Sequence, residues 1–151
     1  MKKQVILDLD HALIYSTYKE IDGLKLISKR KYLFLYHRPF LKDFLKFIET
    51  KYEIIFYTSS KIDYARWVVS TFKLNNNYEI FGRKYTKTIY SEYGITYKKS
   101  LKKIKKEFEY KVNVLDDRPD LWDENGVNLI DIKPWMGDIF DDKLKIVKDF
   151  F

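Results

Sequence analysis

The chain has 151 residues, of which 46% are hydrophobic and 34% are charged. This length can bury one hydrophobic core and is too short for two domains of ordinary size, so we expect a single domain over residues 1–151. The absence of cysteine excludes disulfides, a thiolate metal site and a cysteine nucleophile. Since no apolar run approaches the ~20 residues that span a bilayer, we expect no membrane partner and an intracellular, cytoplasmic location, or a nuclear one in a eukaryote.

The net charge of +7 favours an anionic partner, such as a phosphorylated protein or peptide, or nucleic acid. An alternative explanation is a general compositional bias toward lysine. Only Arg30, Arg38, Arg66, Arg83 and Arg118 are arginines among the 29 basic residues. Nucleic-acid readers usually depend on arginine, so the charge alone does not choose between these explanations.

Short apolar runs alternate with amphipathic stretches, which is typical of an α/β domain. Strands are predicted at Gln4–Leu7, Tyr52–Tyr57, Val112–Leu115 and Val127–Ile132. Helices are predicted at about Pro39–Glu49, Lys61–Phe72 and Ser100–Phe108, with a last one beginning at Asp141. A small β-hairpin is predicted within Lys25–Tyr36, with its turn at Ser28–Lys31.

Three of these strands end in residues that carry chemistry. Asp8 and Asp10 follow the first strand, Thr58 and Ser59 the second, and Asp116 and Asp117 the third. Because ligands of an open parallel sheet bind beyond the carboxyl ends of its strands, we expect these side chains to converge on one site. Any single Asp after a strand is more often a turn former or a helix cap, but that explanation does not suit three strand ends at once.

Clustered carboxylates repel one another and therefore need a cation. Hard oxygen ligands without His or Cys suit Mg²⁺, which takes one or two protein carboxylates together with phosphate oxygens. The sequence thus predicts a magnesium site built from Asp8, Asp10, Asp116 and Asp117, in a protein that transfers phosphoryl groups.

Six motifs resemble the FCP/SCP branch of the haloacid dehalogenase (HAD) superfamily, the NLI-interacting-factor-like CTD phosphatases. The opening Asp8-Leu9-Asp10-His11-Ala12-Leu13-Ile14-Tyr15-Ser16 is similar to the family's D-L-D-x-T-L-x-x-S. The others are Arg38-Pro39 with Phe44-Leu45, Thr58-Ser59-Ser60 with Tyr64-Ala65, Tyr97-Lys98-Lys99-Ser100-Leu101, Asp116-Asp117, and Asn128 followed by Trp135, Asp141 and Leu144. The resemblance implies a three-layer, Rossmann-like α/β fold with a mostly parallel central sheet.

The resemblance also implies the roles of the residues. Asp8 attacks phosphorus to form an aspartyl phosphate, and Asp10 is the acid and base, with its backbone carbonyl on the metal. Asp116 completes the protein ligands, with Asp117 beside it. Thr58 binds a phosphate oxygen, and Lys99, with Lys98 as the alternative, offsets the phosphoryl charge. Ser59 and Arg83 are assigned to substrate binding, although a surface salt bridge would also explain Arg83.

The chain departs from the family at two places. Ala12 replaces a threonine whose hydroxyl could brace the loop that holds Asp8 and Asp10, which predicts a slower enzyme. The segment from Thr17 to His37 is short, which leaves the substrate open. Three hypotheses follow: a phosphoserine or phosphothreonine protein phosphatase, a phosphatase of nucleic-acid ends or nucleotides, and a catalytically weak pseudophosphatase that binds its partner. Oligomeric state is not predicted.

Overall fold

A computed structural model describes residues 2–123 and 125–151. The strands are β1 Lys3–Leu7, β2 Ile14–Thr17, β3 Ser28–Arg30, β4 Leu33–His37, β5 Tyr52–Tyr57, β6 Tyr78–Phe81, β7 Lys87–Ser91, β8 Gly94–Lys98, β9 Val112–Asp116 and β10 Val127–Asp131. The α-helices are α1 Leu41–Lys51, α2 Ile62–Ser70 and α3 Lys143–Val147, and short 3-10 helices occupy Arg83–Tyr85, Pro119–Leu121 and Lys148–Phe150.

Five parallel strands form the central sheet in the order β10-β9-β1-β5-β6. All four predicted strands are confirmed. The edge strand β6 was not predicted, because its four residues follow a run of three asparagines and are too few to show a period. Leu7 pairs with Phe56 on one side and Leu115 on the other, so β1, β5 and β9 end side by side. This register brings the polar residues after the three strands to one edge.

The three α-helices pack on one face of the sheet. Phe44, Ile48 and Val68 join Val5 and Phe56 in the larger core cluster, and burying such side chains stabilises each element by about 1.5–3 kcal/mol per residue. The first two predicted helices are confirmed, although α1 and α2 begin two residues and one residue later than predicted. Helix α3 begins two residues after its predicted position. At the start of α1, Phe40 adopts a left-handed conformation with φ of 69°, which ends the preceding turn before the helix.

No α-helix among the described residues covers the opposite face of the sheet, and the predicted helix at Ser100–Phe108 is wrong. Residues 101–105 form turns, and Lys105 has a left-handed φ of 55°. Lysines three and four residues apart in this segment would repel one another on a helix. Its apolar residues still pack as the period suggested, since Ile104 is buried and Leu101 and Phe108 lie against the second core cluster.

The insertion after β1 is larger than the predicted hairpin. Strands β2, β4 and β3 form a three-stranded antiparallel sheet in that order. Ser28–Arg30, predicted as the turn, is strand β3, and the turn is at Lys31, whose φ of 55° permits the reversal. A second antiparallel pair, β7 and β8, was not predicted and leads directly into Lys99. No helix among the described residues is long and apolar enough to cross a membrane.

Candidate active site

Three carboxylates meet at the carboxyl edge of the sheet. Asp8 follows β1, Asp116 ends β9 and Asp117 comes next, and each offers an oxygen within 4.8 Å of the others. Asp8 and Asp116 are buried. Parallel pairing of β1 with β9 fixes this approach, since the backbone N–H of Asp8 donates to the carbonyl of Leu115 at 2.9 Å.

A buried lysine lies between two of these carboxylates. The Nζ of Lys99 donates to Asp8 Oδ1 at 2.8 Å and to Asp116 Oδ2 at 2.7 Å. Strand β8 ends at Lys98, and an isolated β-bridge then pairs Lys99 with Trp122, which places Lys99 beside the segment that follows β9. Of the two lysines considered from the sequence, the structure therefore brings Lys99 to the acidic cluster.

The charges of this cluster shift its pKa values in opposite directions. Burial raises the pKa of Asp8 well above its ordinary value, Asp116 raises it further, and Lys99 lowers it. Burial also raises the pKa of Asp116, but Lys99 outweighs that effect and holds it below its ordinary value. For Lys99, burial lowers the pKa, but Asp8 and Asp116 raise it on balance, so the ammonium stays charged.

Trp122 orients Asp116, a role that the sequence did not suggest. Its indole Nε1 donates to Asp116 Oδ2 at 2.8 Å, and the backbone N–H of Arg118 donates to Oδ1 at 2.9 Å. Trp122 is buried, and a buried indole N–H usually finds a partner. A tryptophan six residues beyond an acidic strand end, after a proline turn, was the available signal.

Asp10 points to a different set of partners. Ser60 Oγ donates to Asp10 Oδ2 at 2.8 Å, and the hydroxyl of Tyr64 donates to Oδ1. Since that hydroxyl is also 2.6 Å from Ser16 Oγ, the serine must be the donor to it. Both oxygens of Asp10 are thus oriented by α2 and the loop before it, and the side chain lies outside the triad of Asp8, Asp116 and Asp117. Ser60 and Tyr64 belong to the motif Thr58-Ser59-Ser60 with Tyr64-Ala65, but no role was predicted for either residue.

The remaining predicted site residues lie around the same edge. Thr58 is buried after β5, and its Oγ1 accepts the backbone N–H of Ser60 at 3.0 Å, which tightens the loop. Ser59 lines the pocket. Arg83 donates from Nε to the carbonyl of Ser59 at 2.8 Å, and its guanidinium lies 4.6 Å from the ring centre of Tyr97. Arg66 and Arg118 form surface salt bridges, but Arg83 forms none with any described residue.

Arg38 holds the loop that follows Asp10. The side chain of Arg38 is fully buried, and it bonds Asp141 through two contacts of 2.8 and 3.0 Å. Its Nη1 also donates to the carbonyls of His11, at 3.1 Å, and Ala12, at 3.0 Å. The backbone of Ala12 is therefore fixed without the hydroxyl that its family position usually carries.

These residues surround a cavity of about 150 Å³. It is lined by Asp8, Asp10, His11, Ser59, Tyr97, Lys99, Asp116, Asp117, Arg118 and Leu121. The lining has four carboxylates and two cationic side chains, Lys99 and Arg118, so the cavity retains negative charge that a bound cation would neutralise. An all-oxygen donor set of this kind fits a hard divalent metal.

A family model described as NLI interacting factor-like phosphatase matches residues 3–151. The chain belongs to this family. Membership agrees with the resemblance found in the motifs, and it implies a divalent metal, for which the triad of Asp8, Asp116 and Asp117 supplies oxygen ligands.

Members of the family with related sequences are named as phosphatases. The chain is 27% identical over 147 residues to a probable C-terminal domain small phosphatase of Dictyostelium discoideum, covering 93% of this chain and 45% of the relative. It is 25% identical over 164 residues to the human CTD small phosphatase-like protein, covering 99% and 55%. The zebrafish (Danio rerio) CTD nuclear envelope phosphatase 1B is 29% identical over 160 residues, covering 95% and 63%. The chain thus spans about half the length of several relatives.

Solved structures confirm the fold. The RNA polymerase II CTD phosphatase Fcp1 matches with a TM-score of 0.65 and 24% identity, covering 93% of this chain and 44% of Fcp1. A fission yeast Fcp1 variant bound to beryllium fluoride matches with a TM-score of 0.61 and 22% identity, covering 99% and 45%. The α/β architecture with a parallel central sheet is therefore that of the HAD fold of this family.

Proposed function

We propose that this protein hydrolyses phosphomonoesters with Mg²⁺ through an aspartyl phosphate, and that its substrate is a phosphoserine or phosphothreonine in a protein. The observation that carries the proposal is the convergence of Asp8, Asp116 and Lys99 in one buried cluster at the sheet edge. A carboxylate nucleophile, a metal-ligand set and a phosphate-directed cation are the parts that phosphoryl transfer needs.

Asp8 is the proposed nucleophile. Its carboxylate oxygen attacks phosphorus in line with the ester bond, and the electron pair of that bond leaves with the alkoxide oxygen. Lys99 fixes the orientation of Asp8 through Oδ1, and its positive charge stabilises the charge on the transferring group. Hydrolysis of the acyl phosphate by water then restores the carboxylate and releases phosphate.

Asp10 is the proposed acid and base. It donates a proton to the leaving alkoxide and later accepts one from the attacking water. Ser60 and Tyr64 hold both its oxygens, so its side chain enters the reaction already oriented. Thr58 and Ser59 lie at the adjacent strand end, where a hydroxyl could bond a phosphate oxygen.

Asp8, Asp116 and Asp117, with the backbone of Asp10, are the proposed ligands of the metal. When bound, Mg²⁺ neutralises the carboxylates and the charge on the phosphate oxygens. Burial raises the pKa of Asp117, and a neighbouring divalent cation would favour its charged form.

A groove beside Asp10 supports a peptide substrate. Its volume is about 420 Å³, and Tyr64 lines it together with Tyr18, Tyr32, Trp67 and Leu33 and with the charged residues Arg30, Lys31, Lys61 and Asp63. Tyr18 and Tyr32 are 78% and 80% exposed. Since Tyr64 also bonds Asp10, an apolar side chain in this groove would lie next to the phosphorylated residue.

The test is hydrolysis of a generic aryl phosphate by the purified protein. Turnover with Mg²⁺, its loss on chelation and its return when Mg²⁺ is added back would support the proposal. Absence of turnover at any Mg²⁺ concentration would leave the pseudophosphatase hypothesis. A panel of phosphoserine peptides against 3′- and 5′-phosphorylated oligonucleotides then separates the protein phosphatase from the nucleic-acid alternative.

Replacing Tyr64 with Phe should lower kcat for the aryl phosphate about tenfold and leave KM unchanged. The loss of one hydrogen bond to a charged group costs about 1.5 kcal/mol, and Asp10 would keep only Ser60 as a side-chain partner. Tyr52→Phe is the matched control, because Tyr52 begins β5 at the opposite end of the sheet. Steady-state kinetics of both variants make the measurement, and an unchanged kcat in Tyr64→Phe would contradict the positioning role.

A further inference from the structure

The β7–β8 hairpin carries an apolar strip on one of its faces. Thr88 pairs with Tyr97, and Tyr90 pairs with Ile95, and residues paired in this way project to the same side of an antiparallel sheet. Tyr90 is 77% exposed and Ile95 is 53% exposed. We call Thr88, Tyr90, Ile95 and Tyr97 the hairpin strip.

The hairpin strip is continuous with the catalytic pocket. Tyr97 lines the cavity together with Asp8 and Lys99, and its ring lies against the guanidinium of Arg83. Arg83 is itself held by the carbonyl of Ser59, so the inner end of the strip is attached to the site loop. A chain that leaves the pocket past Tyr97 would next meet Ile95 and Tyr90.

We propose that the hairpin strip binds the part of the substrate peptide that flanks the phosphorylated residue, and that it selects an apolar side chain there. The inference rests on the proposed function, because the bound segment is the one that carries the phosphate into the pocket. It adds a subsite on the side of the pocket that Tyr97 lines, whereas the groove of Tyr18, Tyr32 and Trp67 is lined in part by Tyr64.

The distribution of charge favours a peptide over nucleic acid. The strip itself has no charged residue, and Lys87 and Lys98, which pair with each other, project from the other face of the hairpin. Nucleic acid needs cations along the path of its backbone as well as aromatic rings. Arg83 lies 4.6 Å from the ring centre of Tyr97, at the pocket end of the strip, where it would meet the phosphate rather than a following backbone.

The spacing of the strip indicates which substrate position it contacts. Ile95 lies two residues beyond Tyr97 on the same strand, which is about 7 Å at 3.4 Å per residue. An extended peptide covers the same distance in about two residues. The selected side chain should therefore lie about two to four residues from the phosphorylated one, on one side of it.

The test uses nine-residue peptides with a central phosphoserine in a Gly/Ser background and one leucine moved through the flanking positions. We expect leucine at one or two positions on one side to raise kcat/KM about tenfold. The double variant Tyr90→Ser/Ile95→Ser should lose that gain and keep wild-type turnover of the aryl phosphate. Tyr93→Ser is the matched control, because Tyr93 is 92% exposed in the turn of the hairpin and outside the strip.

Binding distinguishes failure of this inference from failure of the proposed function. If the wild-type protein does not turn over the aryl phosphate, the same labelled peptides are bound to Asp8→Asn protein, and fluorescence anisotropy gives Kd. A tenfold lower Kd for the peptides with the favoured leucine, lost when the double substitution is added, would support the inference. A leucine effect that is absent, or that survives the double substitution, overturns it. If the double substitution abolished binding of a 5′-phosphorylated oligonucleotide and left peptide binding unaffected, that result would also overturn the inference and assign the strip to nucleic acid.

Discussion

Asp8→Asn should abolish turnover of the aryl phosphate, with kcat lowered by at least about 10⁴-fold. The amide is a poor nucleophile and cannot form the acyl phosphate, and it also removes the charge partner of Lys99 at 2.8 Å. The measurement is the initial rate at saturating Mg²⁺, corrected with a blank for background phosphatase activity. Residual turnover close to wild type would exclude Asp8 as the nucleophile.

The variant should fold normally, which makes the result interpretable. Burial and the charge of Asp116 raise the pKa of Asp8, so a neutral side chain relieves repulsion inside the cavity. We expect an unchanged or slightly raised Tm. The matched control is Asp131→Asn, because Asp131 ends β10 at the same sheet edge but is exposed. It should retain full turnover, and an equal loss in both variants would point to a nonspecific charge effect.

Arg38→Ala should lower the free energy of unfolding by about 3–5 kcal/mol. The substitution leaves the largely buried carboxylate of Asp141 without its partner and removes donors from the carbonyls of His11, Ala12 and Lys133. Urea denaturation at constant pH measures the change. Turnover should fall as well, because the loop that follows Asp10 loses its support.

A surface arginine provides the comparison for Arg38. Arg66 and Asp63 form an exposed pair at 3.8 Å, with side chains 69% and 81% exposed, and such pairs contribute little. Arg66→Ala should therefore change stability by less than about 0.5 kcal/mol. Adding Asp141→Ala to Arg38→Ala should cost little more, since the two share one interaction. A loss below about 1 kcal/mol in Arg38→Ala alone would contradict the buried pair.

The central strands could be predicted from the sequence because a strand that is buried on both faces is rich in apolar residues along a short segment. The runs that became β1, β5 and β9 are rich in β-branched and aromatic residues, and the acidic and hydroxyl residues at their ends can be read directly from the sequence. Their convergence then follows from parallel pairing alone. Asp8 and Asp116 were thus placed near each other from the residues alone, whereas Lys99 was assigned only through the family motif around it.

The contacts that orient the site could not be predicted in this way. The pairing of Arg38 with Asp141 spans 103 positions, and that of Tyr64 with Asp10 spans 54, so no local period records them. Apolar spacing at Leu101, Ile104 and Phe108 indicated burial correctly but not helix, because turns can present the same residues to a sheet.

The bridge between Arg38 and Asp141 also sets an order of assembly. While the chain is being synthesised, the strand and loop that carry Asp8 and Asp10 are complete long before Asp141 leaves the ribosome. Until then the guanidinium of Arg38 lacks its partner Asp141. The loop after Asp10 therefore lacks a firmly held donor for its carbonyls. The loop that follows Asp10 is therefore encoded early in the chain, but its buried support is completed only when Asp141 has been added.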